Sequence, residues 1–383
     1  MNSYKNTPFI PAIQKTSTLV VLSLLSIVCF IITINVKTIE VSPSYNSKVK
    51  AANLMKAAMN ELKNHRMEKS IFIDSENDPN ETGLVGGPFS LITTDEGDLD
   101  AKLTTLDPNF SAIIVDLMYQ LNLTKSDTVA ILMTGSMPGA NIAVLTACKS
   151  LGLIPITISS VGASQWGANQ IDFTWLDMER ILFDKELIPS VSIAASIGGR
   201  NDMGRLLSPA GRDLIIKNIS KYNIPLIKKN RLNDNILNRM EQYKKYAPID
   251  SYKAIINIGG GVASLGTSFN LKLLSPGVVN RSDINKIERS GGIEGVFSRF
   301  IKSNVLGLHI LNIRPLIEQY NMQFAPIPLP EIGTGSLYAV EKYNLIVVFF
   351  CLLLIVGSVL LIGFQSKQKI KEHLTQHEPD SLL

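Results

Sequence analysis

Apolar positions are spread unevenly along this chain. Two uncharged runs lie near its ends, and between them short apolar runs alternate with segments of helical period. Thr18 to Ile34 (TLVVLSLLSIVCFIITI) carries no charge, and its 17 residues reach about 25 Å as a helix, the short end of what crosses a bilayer. Leu345 to Phe364 (LIVVFFCLLLIVGSVLLIGF) is 20 residues long with Ser358 as its one clearly polar side chain. The pattern predicts membrane spans over 18–34 and 345–364. A cleaved signal peptide is the competing reading of the first, since Lys5 and Lys15 form a basic leader. The small-x-small stretch Ser42-Pro43-Ser44 lies too late for a cleavage site and contains a proline, so the run reads as an uncleaved signal anchor.

Between the spans, Lys48 to Lys63 places Val49, Ala52, Leu54, Met55, Ala58, Met59 and Leu62 at helical spacing, which predicts an amphipathic helix leaving the membrane. Asp74 to Leu106 is rich in Gly, Thr, Asp and Pro and holds no period. From Asp107 the texture changes. Pro108–Leu121 reads as a helix that Asp107 caps, followed by a strand over Thr128–Met133, a helix over Ala140–Leu151 stopped by Gly152, and a strand over Ile154–Ser159. Then come a helix over Phe173–Phe183, a strand over Val191–Ser196, a helix over Pro209–Tyr222 opened by Ser208, a short strand at Ile224–Ile227, a helix over Asn233–Tyr246 and a strand over Ala254–Ile258. Such alternation is the mark of βαβ units and a parallel sheet covered on both faces. The expected fold is therefore a three-layer, Rossmann-like α/β domain over 107–280 with a mostly parallel sheet. It follows an amphipathic and irregular segment over 35–106 and precedes a C-terminal extension or lobe over 281–343. Whether Ile293–Pro330 completes the sheet or stands apart is open at this stage. Phe324–Pro330 (FAPIPLP) is extended by its prolines.

Charge supplies the topology. Lys367, Lys369 and Lys371 follow the second span, while Glu341 and Lys342 precede it, so the bias places the tails 1–17 and 365–383 in the cytoplasm and the body outside. The first span contributes little, with Lys37, Lys48 and Lys50 facing Lys5 and Lys15. Against 37 basic residues stand 33 acidic ones, a balance that gives no reason to expect nucleic acid. Of the 3 cysteines, Cys29 and Cys351 lie in the spans and leave Cys148 alone in the body, so no internal disulfide is expected there.

The candidate chemistry lies where strands end. One strand runs into Gly135-Ser136-Met137-Pro138-Gly139-Ala140-Asn141, another into Gly198-Gly199-Arg200-Asn201-Asp202, and a third into Gly259-Gly260-Gly261. In a parallel sheet all three share the carboxyl edge, where ligands bind, and their glycines let backbone amides approach an anion. The candidate ligand-binding set is Gly135, Ser136, Gly139, Asn141, Gly199, Arg200, Asn201, Arg205, Gly259, Gly260 and Gly261. Each loop also has a plain reading, because strand-to-helix turns need glycine in any case. The first loop lacks the lysine of a phosphate loop, and Ser136 is off-centre for a nucleophile elbow. Ser136 and Asp202 remain as weak catalytic candidates. Of the 4 histidines, His65 sits on the amphipathic helix and His373 and His377 in the tail; only His309 could serve Ser136, and its apolar neighbours suit a core residue. Arg200 and Arg205 suit a carboxylate or phosphate clamp, while Arg200 with Asp202 could equally be a surface ion pair. Asp172 is expected to cap the helix that carries Trp175. No residue set has metal-ligand spacing, and no cofactor is expected.

Several stretches are similar to one family. Asn77–Gly86 (NDPNETGLVG), Ile92–Gly97 with Ala101-Lys102, Asp107–Ala112, Thr134–Asn141, Ser159–Trp166, Thr174–Glu179 and Ile197–Gly211 (IGGRNDMGRLLSPAG) together resemble the poly-gamma-glutamate system proteins, over about 53–335. The resemblance implies a bacterial cytoplasmic-membrane protein working with the machinery that makes or exports poly-gamma-glutamate, a capsular polymer. It brings no assigned catalytic residues. The expectation is an anchored accessory protein whose outer domain binds an anionic ligand or the polymer. The alternatives are an amide hydrolase or transferase acting on the polymer, and a nucleotide-binding enzyme should the body lie in the cytoplasm.

Overall fold

The computed structural model describes residues 9–289 and 291–376. The outer parts of both predicted tails, with His377, lie outside the described residues. The chain divides into two units: one from its two ends, up to Val41 and from Ala339, and one from Ser42 to Tyr338.

In chain order the strands are β1 (Lys37–Val41), β2 (Thr128–Thr134), β3 (Ile154–Ser160), β4 (Asn169–Gln170), β5 (Phe173–Thr174), β6 (Ala194–Ser196), β7 (Leu226–Ile227), β8 (Ala254–Ile258), β9 (Gly277–Val279), β10 (Leu306–Ile310) and β11 (Ala339–Tyr343).

In the first unit, helices Thr16–Asn35 and Leu345–Gln376 pack together, and both are long and apolar enough to cross a membrane. Their hydroxyls fold back on the helix: Ser26 donates to Leu22 O and Ser358 to Leu354 O, so neither group needs water. β1 and β11 form an antiparallel ribbon, with Lys37 paired to Glu341 at 3.0 Å.

The second unit holds a seven-stranded sheet in the order β7-β6-β3-β2-β8-β10-β9, parallel except for the edge strand β9. The continuous apolar runs of β2 and β8 suit central strands buried on both faces. Val129, Ile131 and Met133 enter one core cluster while Ala130 and Leu132 enter the other, so the alternation of strand side chains fills both sides.

Several elements differ from the sequence reading. β10 pairs parallel with β8 in full register, Leu306 opposite Ala254, and β9 flanks it, so residues beyond 280 complete the sheet. These two strands are short and isolated in sequence, which hid their period. The amphipathic helix runs from Tyr45 to Glu68, burying Ala51, Met55, Ala58 and Leu62 against helices Asn109–Gln120 and Pro138–Leu151. It belongs to the same unit as the α/β sheet, where it packs on the helices and not on the strands. The segment 74–106 is largely irregular but contains the helix Leu99–Thr105, capped by Asp98, whose side chain accepts from Ala101 N at 3.1 Å. Buried side chains satisfy the irregular backbone: Arg66 donates to Gly83 O (2.7 Å), and Asp78 accepts from the amides of Thr82 (3.0 Å) and Gly83 (2.7 Å). Asp172 is exposed. Thr174 caps the helix Trp175–Asp184 instead, in a capping box with Asp177.

Candidate functional site

The parallel strands aim five loops at one edge, and the sheet order puts a reversal there. The chain builds β2, β3, β6 and β7 outward on one side, then returns to β8 on the other. Ligands in such sheets bind at the carboxyl edge beside the reversal. A cavity of about 940 Å³ lies there, lined by Ser136 and Met137 after β2, Gly162 and Ser164 after β3, Gly198 to Arg200 after β6, Gly259 to Val262 after β8 and Leu311 to Pro315 after β10. Residues 94–98 and 100–102 of the irregular segment close another wall.

At the reversal the backbone is close-packed. A Cβ on Gly259 would lie 2.5 Å from Thr134 Oγ1, and the residue has φ +84°, so glycine is required. Thr134 Oγ1 is buried and lines the cavity with no hydrogen-bond partner among the described residues. The amides of Ser136, Gly260 and Gly261 likewise find no acceptor among the described residues. A buried unpaired hydroxyl such as that of Thr134 is costly without a ligand or water, whereas Gly260 is exposed and Ser136 and Gly261 are half-buried, so their amides are open to a ligand. Two arginines, Arg200 and Arg314, line the same cavity, and the Arg314 guanidinium lies 3.8 Å above the Phe324 ring.

Lys102 is the buried cation of the site. Its side chain is 3% exposed and its Nζ donates to Ser164 Oγ at 2.8 Å and to the carbonyl of Gln165. Burial pulls the ammonium down to about 7, against an opposing pull from the Asp98 carboxylate. Ser136 Oγ accepts from the Ser164 amide at 2.9 Å and so ties the β2 and β3 loops together. Asp95, Glu96, Asp98 and Asp100 make this wall acidic, while Arg200 and Arg314 stand on other loops.

The sequence-derived set divides on this geometry. Ser136, Gly199, Arg200, Gly259, Gly260 and Gly261 line the cavity, as does Asp202. Gly135, Gly139, Asn141, Asn201 and Arg205 do not line it. A Cβ on Gly135 would meet Val161 O at 2.4 Å, and one on Gly139 would meet Thr105 O at 2.6 Å, so both are glycines of close packing. Asn141 donates to Thr134 O at 2.9 Å and holds the helix to the strand end. With its amide oxygen turned toward it, Asn201 accepts from Arg205 Nη1 at 3.2 Å, and Arg205 points away into solvent.

Asp202 pairs with neither Arg200 nor Arg205. It is buried beside Arg239, whose Nη2 lies 3.0 Å from each carboxylate oxygen, and Ser196 donates to Oδ1 at 2.6 Å. Both oxygens are committed, which removes Asp202 as a free base. His309 is buried in β10. It meets Asn257 Nδ2 at 3.0 Å and stays neutral because burial lowers it to about 4; it fits the core reading. Cys148 is buried. Among the described residues no cluster of His, Cys, Asp and Glu is placed to hold a metal. Lys102, Arg239 and Arg314 escaped sequence reasoning. The visible signal for Arg314 was an apolar run, Leu306–Ile310, ending in Asn312-Ile313-Arg314.

Comparison of the chain with protein-family models, curated proteins and solved structures finds no match.

Proposed function

We propose that this is a two-pass bacterial cytoplasmic-membrane protein, with both termini in the cytoplasm, whose three-layer α/β body binds an anionic ligand outside the cell membrane. The ligand class is poly-gamma-glutamate, and the protein is an accessory of its synthesis or export machinery. The observation that carries the binding reading is the convergence of Arg200, Arg314 and the unpaired amides of Ser136, Gly260 and Gly261 on one cavity. Guanidinium forks and free amides suit carboxylates. The polymer assignment rests on the family resemblance of stretches such as Ile197–Gly211.

The acidic wall refines the ligand. Asp95, Glu96, Asp98 and Asp100 disfavour the uniformly anionic interior of such a polymer. A chain end carries an ammonium beside its carboxylates and meets both walls, so the body is assigned to the amino end of a gamma-glutamyl chain.

The test is made in polymer-producing cells that carry Arg200→Ala with Arg314→Ala. Surface polymer is expected to fall sharply while the protein stays at its normal level in the membrane. Unchanged polymer would remove this site from the account.

A further inference from the structure

The contact between Lys102 and Ser164 has a chemistry of its own. Lys102 Nζ lies 2.8 Å from Ser164 Oγ, both line the cavity, and the loop carrying Ser164 is fixed by the bond from its amide to Ser136 Oγ at 2.9 Å. The lysine stands on the short helix Leu99–Thr105 and the serine follows β3, so two separate elements bring them together. Ser136, bonded to Ser164 through its hydroxyl, brings an amide with no acceptor among the described residues, which is what a developing oxyanion needs.

We propose that Ser164 and Lys102 are a nucleophile and general base for acyl transfer, acting on an amide bond adjacent to a carboxylate. The choice of a gamma-glutamyl amide as that bond rests on the proposed function above. Neutral Lys102 takes the proton as Ser164 Oγ bonds to the carbonyl carbon. The carbon–nitrogen bond then breaks and the same proton passes to the departing amine, leaving an ester on Ser164. Water completes hydrolysis, or a second amine completes transfer: Lys102 takes the proton from the attacker as it bonds to the carbonyl carbon, the ester bond to Ser164 Oγ breaks, and the proton returns from Lys102 to Ser164 Oγ. Serine–lysine pairs of this kind act as variants of the serine triad. Arg200 and Arg314 would hold the neighbouring carboxylate, and the step needs no oxidant, metal or co-reactant beyond water or an amine.

Proton availability suits the role. Buried Lys102, at about 7, is largely uncharged at mildly alkaline pH. Asp98, which caps its helix, is the carboxylate that acts on it, with Asp95, Glu96 and Asp100 on the same wall and Arg314 on the helix Ile313–Glu318 packed against it; the facing loop 161–168 and the β2 loop 135–137 carry no charged side chain.

The test uses the full chain in detergent micelles and a fluorophosphonate probe, with the modified peptide mapped by mass spectrometry. Modification is expected at Ser164, with a rate that rises between pH 6 and 8. Lys102→Met should slow it at least about a hundredfold, the usual worth of a general base, and Ser164→Ala should abolish it. Because Lys102 also supports the Gln165 carbonyl, the pH profile of the unaltered protein is the independent check. No adduct at Ser164, or a rate that is flat over this range, overturns the pair. Binding of a gamma-glutamate oligomer to Ser164→Ala is measured in parallel. Binding without modification in the unaltered protein rejects the acyl-transfer centre and leaves the ligand reading standing; modification without binding keeps the centre and rejects the polymer.

Discussion

Arg239 donates from Nη2 to both carboxylate oxygens of Asp202 at 3.0 Å, and the two side chains are 1% and 2% exposed. The pair joins the helix Leu232–Lys244 to the loop after β6, and Ser160 and Ser196 complete its hydrogen bonds. Removing one partner strands the other charge away from water. Arg239→Met is therefore expected to destabilise the protein by roughly 3–5 kcal/mol. Thermal unfolding of the full chain in detergent checks this. Asp202→Leu with Arg239→Met should recover much of the loss, because no charge is then left unpaired.

Glycines at the site separate by what a methyl group would meet. At Gly139 it would press on the backbone of Thr105, with contacts at 2.6 and 2.8 Å, so Gly139→Ala should cost about 1–3 kcal/mol. At Gly260 the nearest atom is Leu271 Cδ1, 2.9 Å away at the end of a side chain that can turn. Gly260→Ala should unfold near the normal temperature yet bind ligand more weakly, since the methyl group narrows the cavity. Paired melting and binding measurements on the two variants distinguish these roles.

The strands from β2 to β8 in the sheet, with the short edge strand β7, were legible in the sequence, and β9 and β10 were not. β2, β3 and β8 lie within one residue of their predicted bounds, because continuous apolar runs of β-branched and aliphatic residues have no other use in a sheet buried on both faces. Gly152 ends its helix in the left-handed conformation, φ 70°, as expected. β9 and β10 were missed because neither was read as part of an alternating βα pattern. At the site, Ser136, Gly199, Arg200 and Gly259 to Gly261 were readable because they directly follow strands. Lys102 lies 62 positions from Ser164 and Asp202 lies 37 from Arg239, and such pairs are made by the fold. Arg205 was singled out with Arg200 as an arginine beside glycines in a polar cluster, but it follows the turn at Gly204, φ +61°, and is exposed to solvent.

Buried His309 gives a pH signature. Its folded value is lowered from 6.5 to about 4 by burial, so between these limits the unfolded chain binds a proton that the folded ring refuses. Stability therefore falls as pH drops from 6.5 to about 4 and then levels off. The limiting size is roughly 3 kcal/mol. Asp107 and Glu179, raised by burial to about 6 and about 7, act in the opposite direction. Comparing the protein with His309→Gln cancels them. The unaltered protein should lose stability relative to the variant across this window, as read from denaturant midpoints at several pH values.

Sidedness has a direct test. Cys29 and Cys351 lie in the apolar helices and Cys148 is buried, whereas Glu76 is exposed in the irregular segment. Asn80 serves less well because it donates to Pro326 O. Glu76→Cys in cells, with any outer membrane made permeable, should react with a membrane-impermeant thiol reagent. Reaction only after lysis would place the body in the cytoplasm and favour a nucleotide at the first glycine loop.

The most direct measurement is binding of a gamma-glutamate oligomer of defined length, with its amino end free or acetylated, to the full chain in detergent micelles. The account predicts saturable binding that prefers the free amine. Arg200→Ala with Arg314→Ala should weaken it at least about tenfold, as expected for losing charge-assisted hydrogen bonds. Equal affinity of the double variant and the unaltered protein, or no binding by either, would contradict it.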